Sequence, residues 1–279
     1  MSHSDHVELA RMCQAMRRDI VEMLAASGSG HPGGSLSAVE IVATLYGVVM
    51  RHDPSDPKMP DRDRFVLSKG HAAPVLYAGL AESGYLPREE LLTLRKLDSR
   101  LQGHPDMRKL PGVEVSTGSL GQGLSLACGM ALALRLDGDL DPTVYCLLGD
   151  GELQEGQVWE AAMTAAHYKL SNLVAIVDLN GLQIDGPTCD VMDLGDVREK
   201  FAAFGWTVIG CDGHSLSELA AAFSAADAAT RPAVIVARTV KGRGVSFMEN
   251  LCGWHGRAPD AAEAAQALEE LAGEPMGGE

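Results

Sequence analysis

Apolar residues along this chain follow two alternating rhythms. One is a short, nearly unbroken run, seen at 65–67, 144–148, 173–177, 206–209 and 233–237. Runs this short, bounded by glycine, proline or polar residues, fit strands buried on both faces. The other rhythm is helical. Met12, Met16, Ile20, Met23 and Leu24 share one face of a helix over 5–26. Further helices are expected over 35–50, 72–83, 124–136, 155–170, 196–204 and 216–229. Another is expected over 87–96, where Pro87 takes the favoured first turn. The 124–136 segment is apolar on nearly all sides, which predicts burial. Run, helix and run with short connections make a βαβ unit, which forces its two strands parallel. The expected fold is α/β, a doubly wound, mostly parallel sheet with helices on both faces. It is expected as one domain over 1–272, with a flexible tail over 273–279.

The chemistry concentrates where two of these runs end. The run at 144–148 stops in Gly149-Asp150-Gly151, and the run at 173–177 closes on Asp178-Leu179-Asn180. In a parallel pair both carboxyl ends lie at one edge of the sheet, the edge where open α/β sheets bind ligands. Asp150 and Asn180 are therefore predicted neighbours in space. Their side-chain oxygens and the Leu182 carbonyl make a hard oxygen set that suits Mg²⁺ or Ca²⁺, with diphosphate oxygens and water completing the shell. Gly151 lets backbone approach a phosphate, and the helix start that follows offers unpaired N–H groups. Alone, the glycine–aspartate–glycine string reads equally as a tight turn after a strand.

Composition narrows the partners. The 279 residues suffice for one large α/β domain. A formal charge of −15 disfavours nucleic acid and means that a phosphorylated ligand needs local cations. Six scattered cysteines, with no C-x-x-C pair and no His/Cys cluster, read as reduced thiols. The N-terminus is polar, without the apolar core of a signal peptide. No apolar stretch approaches the roughly 18 residues of a membrane helix. A cytoplasmic protein without membrane contact is expected.

Four further loops combine glycine with histidine or basic residues: SGHPGGSLS around His31, SKGHA around His71, GHPD around His104 followed by LPGVEVSTGSLGQG, and WHGRAP around His255 after Lys241-Gly242-Arg243-Gly244. Each taken singly reads as a solvated turn. Together with GDGELQEG and DLNGLQIDG they resemble the transketolase family. The resemblance runs from about residue 7 to 259 and covers the first part of a full-length member. Ser119 stands where many relatives carry proline, and the spacing from the glycine loop to His255 differs from that of the best-known members.

The resemblance implies a thiamine diphosphate-binding fold of the diphosphate type. It implies thiamine diphosphate and Mg²⁺ as cofactors, with Ca²⁺ a possible substitute for the metal. Asp150, Asn180 and Leu182 would hold the metal. His71, Gly118, Leu120, Gly149, Asp150, Gly151, Glu152, Asn180 and His255 would line the cofactor. His31, His104, His255, Glu155 and Glu160 are the catalytic candidates: His31 and His104 would face the sugar, His255 the diphosphate and thiazolium, and Glu155 and Glu160 match acidic positions near the subunit interface. Those two glutamates read equally as favourable charge at a helix start. Lys69 departs from the small or amide residue common in full-length members, and is either a phosphate contact or a solvated lysine. The implied reaction is the pentose phosphate type, transfer of a two-carbon ketol unit from a ketose phosphate to an aldose phosphate. Full-length members continue into a pyrimidine-binding domain. The expectation is therefore the N-terminal subunit of a split transketolase. It would act with a separate subunit carrying that domain, in a heterotetramer of two chains each. A 2-oxoacid dehydrogenase first component, a deoxyxylulose-phosphate synthase and a non-catalytic cofactor-binding half are the alternatives. His3, His6, His52, His167 and His214 fall in no motif.

Overall fold

The computed structural model describes residues 2–138 and 142–273. Helix α1, His3–Ser27, opens on a reciprocal cap between Ser2 and Asp5 and stops at Gly28, whose φ of 63° ends the helix in the left-handed region. The single helix expected over 35–50 is three pieces: α2 (Pro32–Leu36), α3 (Val39–Thr44) and a π turn (Leu45–Val49). The break has a cause. The Ser37 hydroxyl donates to Asp178 at 2.6 Å, and Ala38 leaves helical geometry with ψ at 7°. Strand β1, Arg64–Leu67, leads through a 3₁₀ turn into α4, Ala73–Glu82. The helix expected over 87–96 is a 3₁₀ segment, Arg88–Thr93. Arg95 and Asp98 adopt φ near 60° just beyond it, which ends regular helix.

Next come α5 (Gln122–Leu136), β2 (Val144–Gly149), α6 (Gly156–Tyr168) and β3 (Leu173–Leu179). A small antiparallel hairpin, β4 (Leu182–Gln183) and β5 (Gly186–Pro187), then precedes α7 (Thr188–Met192) and α8 (Val197–Ala203). The chain continues through β6 (Thr207–Asp212), α9 (Leu216–Asp227) and β7 (Ala233–Arg238). Helix α10, Ala261–Glu270, is not predicted by the apolar rhythm, yet Asp260 and Glu263 form a capping box at its start.

The main sheet has the order β1-β2-β3-β7-β6, with every pairing parallel. Side chains alternate between two cores, as strand geometry requires. Tyr145, Leu147, Val174 and Ile176 face α1, α3, α4 and α9, while Val144, Cys146, Ala175 and Val177 face α5 and α6. Helices cover both faces, the doubly wound arrangement. Burial of α5 is one-sided: Leu124, Ala127 and Ala131 are covered, but Leu126 is 40% and Leu136 85% exposed. Among the described residues no helix is long and apolar enough to cross a membrane. Of the tail expected over 273–279, all beyond Gly273 lies outside the described residues.

Candidate active site

Parallel register brings Gly149 level with Asp178, and Leu179 level with Arg238. The loops leaving β1, β2, β3 and β7 therefore emerge together at one edge, around a cleft of about 220 Å³. Asp150 lines it and ties two of these loops. One carboxylate oxygen accepts the Gly151 N–H at 2.8 Å, and the other accepts the Gly181 N–H. Asn180 and Leu182 line the same cleft. The Asn180 side-chain oxygen accepts from the Leu182 N–H at 3.1 Å, and the Leu182 carbonyl accepts from Lys241 at 3.4 Å. Burial pushes the Asp150 carboxyl up to about 6, helped by the charge of Asp178 and opposed by its two amide bonds and Lys241. A buried carboxylate in that condition is short of positive charge. The described residues hold no group of three His, Cys, Asp or Glu side chains at metal-binding distance. A metal here would rest on one carboxylate and draw further oxygens from its ligand.

Glycines make the close approaches possible. A Cβ on Gly151 would sit 3.1 Å from Gln183, and one on Gly70 would strike the Gly118 nitrogen at 2.7 Å. Glu152, buried, spends both carboxylate oxygens on Ser68 and on the N–H groups of Gly121 and Gly149, at 2.9 and 3.0 Å for the amides. It frames the cleft wall by fastening three loops.

A histidine cluster closes one side. His31 and His71 have ring centres 5.2 Å apart, His31 and His255 5.6 Å, and His71 and His255 stack at 5.0 Å. Burial holds His31 down to about 4, reinforced by Arg95 and His104, and holds His255 to about 4, reinforced by Lys241. Burial and then Lys69 drive His71 well below the ordinary histidine range. All three rings are thus neutral near pH 7. The Nδ1 atoms of His31 and His255 are buried and lack a hydrogen-bond partner among the described residues. Buried polar atoms are rarely left so, and these await a ligand or water.

The family model "Transketolase, thiamine diphosphate binding domain" matches residues 8–277. The chain belongs to the transketolase family. It is 47% identical to the transketolase of Homo sapiens over 256 residues, which are 92% of this chain and 41% of that protein. It therefore spans less than half the length of the mammalian transketolases it matches. It is 44% identical to a subunit of the apulose-4-phosphate transketolase of Actinobacillus succinogenes, covering 95% of this chain and 96% of that subunit. A solved transketolase from Campylobacter jejuni superposes with a TM-score of 0.89 at 35% identity, over 99% of this chain and 44% of that one.

Within this transketolase fold, the residues expected from sequence divide by position. His71, Leu120, Gly149, Asp150, Gly151, Glu152, Asn180, Leu182 and His255 line the cleft. His31 joins it through the other two rings. His104 is exposed and lies outside the lining, its ring where a Cβ on Gly118 would come within 3.0 Å. Gly118 needs its freedom there, at φ 147°. Glu155 and Glu160 are exposed at the start of α6 and are not brought into the cleft.

Three charged residues carry more weight in the fold than their sequence context indicates. Lys69 is 2% exposed, so the solvated alternative is excluded; its ammonium pairs with Asp178 and donates to the Gly34 carbonyl at 2.7 Å. Lys241, also 2% exposed, lines the cleft beside it. Burial and the nearby Lys69 lower its pKa. Asp178 is fully buried; burial raises its carboxyl, but Lys69, Ser37 and Thr239 outweigh that and hold it below the usual range. The available signal was the aspartate ending an otherwise apolar run beside a lysine-bearing loop.

Proposed function

We propose that this chain is the diphosphate-binding, N-terminal subunit of a split transketolase. It transfers a two-carbon ketol unit from a ketose phosphate to an aldose phosphate, using thiamine diphosphate and Mg²⁺. A separate subunit carrying the pyrimidine-binding domain completes the enzyme, two chains of each kind per assembly. Residues 1–272 are taken as one cofactor domain, and the cytoplasm as its site of action. The observation that carries this reading is the cleft itself. In an acidic chain, it gathers two buried lysines and a buried carboxylate pushed up to about 6, beside two histidine nitrogens without hydrogen-bond partners among the described residues.

Those groups fit the cofactor. Lys241 and Lys69 suit a diphosphate, since ammonium groups stabilise phosphate oxygens, and Gly151 leaves room for the backbone to come close to it. Asp150, Asn180 and the Leu182 carbonyl suit Mg²⁺, which accepts an oxygen set finished by phosphates and water. When bound, thiamine diphosphate supplies the electron sink for cleaving and forming the carbon–carbon bond. The chain's own residues bind, orient and move protons. His31 and His255, neutral at working pH, can each offer one donor and one acceptor to sugar hydroxyls. His71 packs against both rings and lines the cleft with the two lysines. His104, exposed beside the Gly118 loop, suits contact with the ketose donor. Glu155 and Glu160, exposed at the start of α6, suit contact with another subunit rather than with the substrate.

Relatives of matching length support the split arrangement. Besides the apulose-4-phosphate subunit, the chain is 45% identical to the 6-deoxy-6-sulfo-D-fructose transketolase subunit SqwG of Clostridium sp., over 90% of that subunit. Subunits named for different sugars match this chain about equally, and we assign the choice of acceptor to the partner. The test is isolation of the native complex followed by titration with thiamine diphosphate and Mg²⁺. Saturable, metal-dependent binding to the complex, with much weaker binding to the chain alone, is expected. Metal-independent binding, or none, contradicts the proposal.

A further inference from the structure

The loop that carries Lys241 into the cleft is held by a buried polar chain with no part in the proposed chemistry. Arg17 on α1 pairs with Glu40 on α3 at 2.6 Å, both almost fully buried. The second oxygen of Glu40 meets His214 Nδ1 at 3.0 Å. On its far side His214 Nε2 accepts the Val240 N–H at 2.8 Å. An accepting Nε2 must carry a lone pair, so the ring proton sits on Nδ1 and is donated to Glu40. Arg17 reaches the same loop directly, its Nε donating to the Arg243 carbonyl at 3.1 Å. Residues 240 and 243 are thus both tethered, and Lys241 and Gly242 lie between them. The Gly242 N–H also donates to the Gly33 carbonyl at 3.0 Å, which registers the loop against the start of α2.

We propose that the Arg17–Glu40–His214 chain is a positioning device for Lys241, and that through Lys241 it sets the affinity of the cleft for a diphosphate-bearing cofactor. This rests on the reading of the cleft as a diphosphate site. A flexible four-carbon side chain binds an anion strongly only where its backbone is fixed. Here two tethers fix that backbone from elements that do not line the cleft. His214, which stands in no sequence motif, is therefore a positioning residue and not a catalytic one.

Two amide variants, each reproducing the position of one ring nitrogen, separate the tether from the rest of the network. In His214→Asn the amide reproduces the Nδ1 position, keeps its contact with Glu40 and stops short of Val240. In His214→Gln the longer side chain brings a carbonyl oxygen back within reach of the Val240 N–H. Thiamine diphosphate binding is measured in the native complex at saturating Mg²⁺, and amide hydrogen exchange over residues 239–244 in this chain. The Asn variant should bind about 10- to 100-fold more weakly, the range seen when an outer partner of a ligand-holding residue is lost. Its 239–244 amides should exchange faster, while turnover at saturating cofactor stays within about twofold of wild type. The Gln variant should recover most of the affinity. Wild-type affinity in the Asn variant overturns the proposal, whether or not exchange is faster. Equal loss in both variants also overturns it, since the Val240 acceptor would then be irrelevant. If wild type itself binds no cofactor, the reading of the cleft fails, and that failure is distinct because the exchange difference at 239–244 does not depend on it.

Discussion

Asp150 is the residue on which the metal assignment turns. It is the one anionic group in the proposed ligand set, so Asp150→Ala should reduce activity of the complex to background and abolish Mg²⁺-dependent cofactor binding. Asn180→Ala should weaken binding less, because water can replace a neutral oxygen. Mg²⁺ titrations monitored by cofactor binding decide both; wild-type binding by Asp150→Ala rules out the metal site. The histidines separate similarly. His71→Ala, in the cleft wall, should raise the apparent Kd for thiamine diphosphate. His104→Ala, exposed beside the Gly118 loop, should raise the donor KM or lower turnover with cofactor affinity little changed. Steady-state kinetics with each varied in turn would expose swapped roles. Acid should also act through this cluster. Unfolded histidine protonates near 6.5, whereas His31 and His255 are held to about 4 in the fold. Between those values the unfolded chain binds more protons, so the cofactor-free protein loses stability as pH falls from about 6.5 toward 4. Urea midpoints should fall less steeply over that window for His31→Asn than for wild type. At this scale the sequence revealed histidines embedded in glycine strings. It did not reveal that Lys69, Lys241 and Asp178 are buried, because burial of a charge depends on partners far away in the chain. Lys69 and Asp178 are separated by 109 positions.

Loops at the ends of strands, rather than the helices between them, assemble the site. Their mutual fit depends on glycines at contacts too tight for a side chain. A Cβ on Gly123 would lie 2.4 Å from the Ser68 side chain, and one on Gly70 2.7 Å from the Gly118 nitrogen. Forcing apart loops this close typically costs about 1–3 kcal/mol. Gly70→Ala should therefore lower the urea midpoint and weaken cofactor binding together, since it pushes the His71 loop off its neighbour. Unchanged stability would show that the two loops are not in fixed contact. The five strands and most helices were legible because apolar runs and helical periodicity are local signals. What escaped was non-local. The break after Leu36 exists because Ser37 turns to a carboxylate on β3, and the segment after Pro87 stops at Thr93, short of the left-handed Arg95 and Asp98. Helix α10 was the exception, since its capping box is a local signal in an alanine-rich stretch with weak apolar contrast.

Across the whole molecule, a net charge of −15 surrounds a cleft whose buried cations are Lys69 and Lys241. That contrast favours a small multivalent anion held by fixed local charges over any long polyanion. Among the described residues, no bidentate arginine clamp for a sugar phosphate lines the cleft. The acceptor's phosphate should then be read by the partner. Exchanging partners between split transketolases of different acceptor preference should move that preference with the partner; preference that follows this subunit through every exchange contradicts the assignment. The parallel sheet and the edge that carries the cleft were legible because βαβ units fix strand direction, and direction fixes which loops share an edge. The one-sided exposure of α5 was not, because an apolar helix reads the same whether it meets its own fold or another chain. The most direct test is glycolaldehyde transfer from a ketose phosphate to an aldose phosphate, assayed with this chain alone, with the native complex, and with the complex stripped of Mg²⁺ and thiamine diphosphate. Transfer by the loaded complex alone is predicted. Equal transfer by the single chain, or none by the loaded complex across a panel of ketose phosphates, would contradict it.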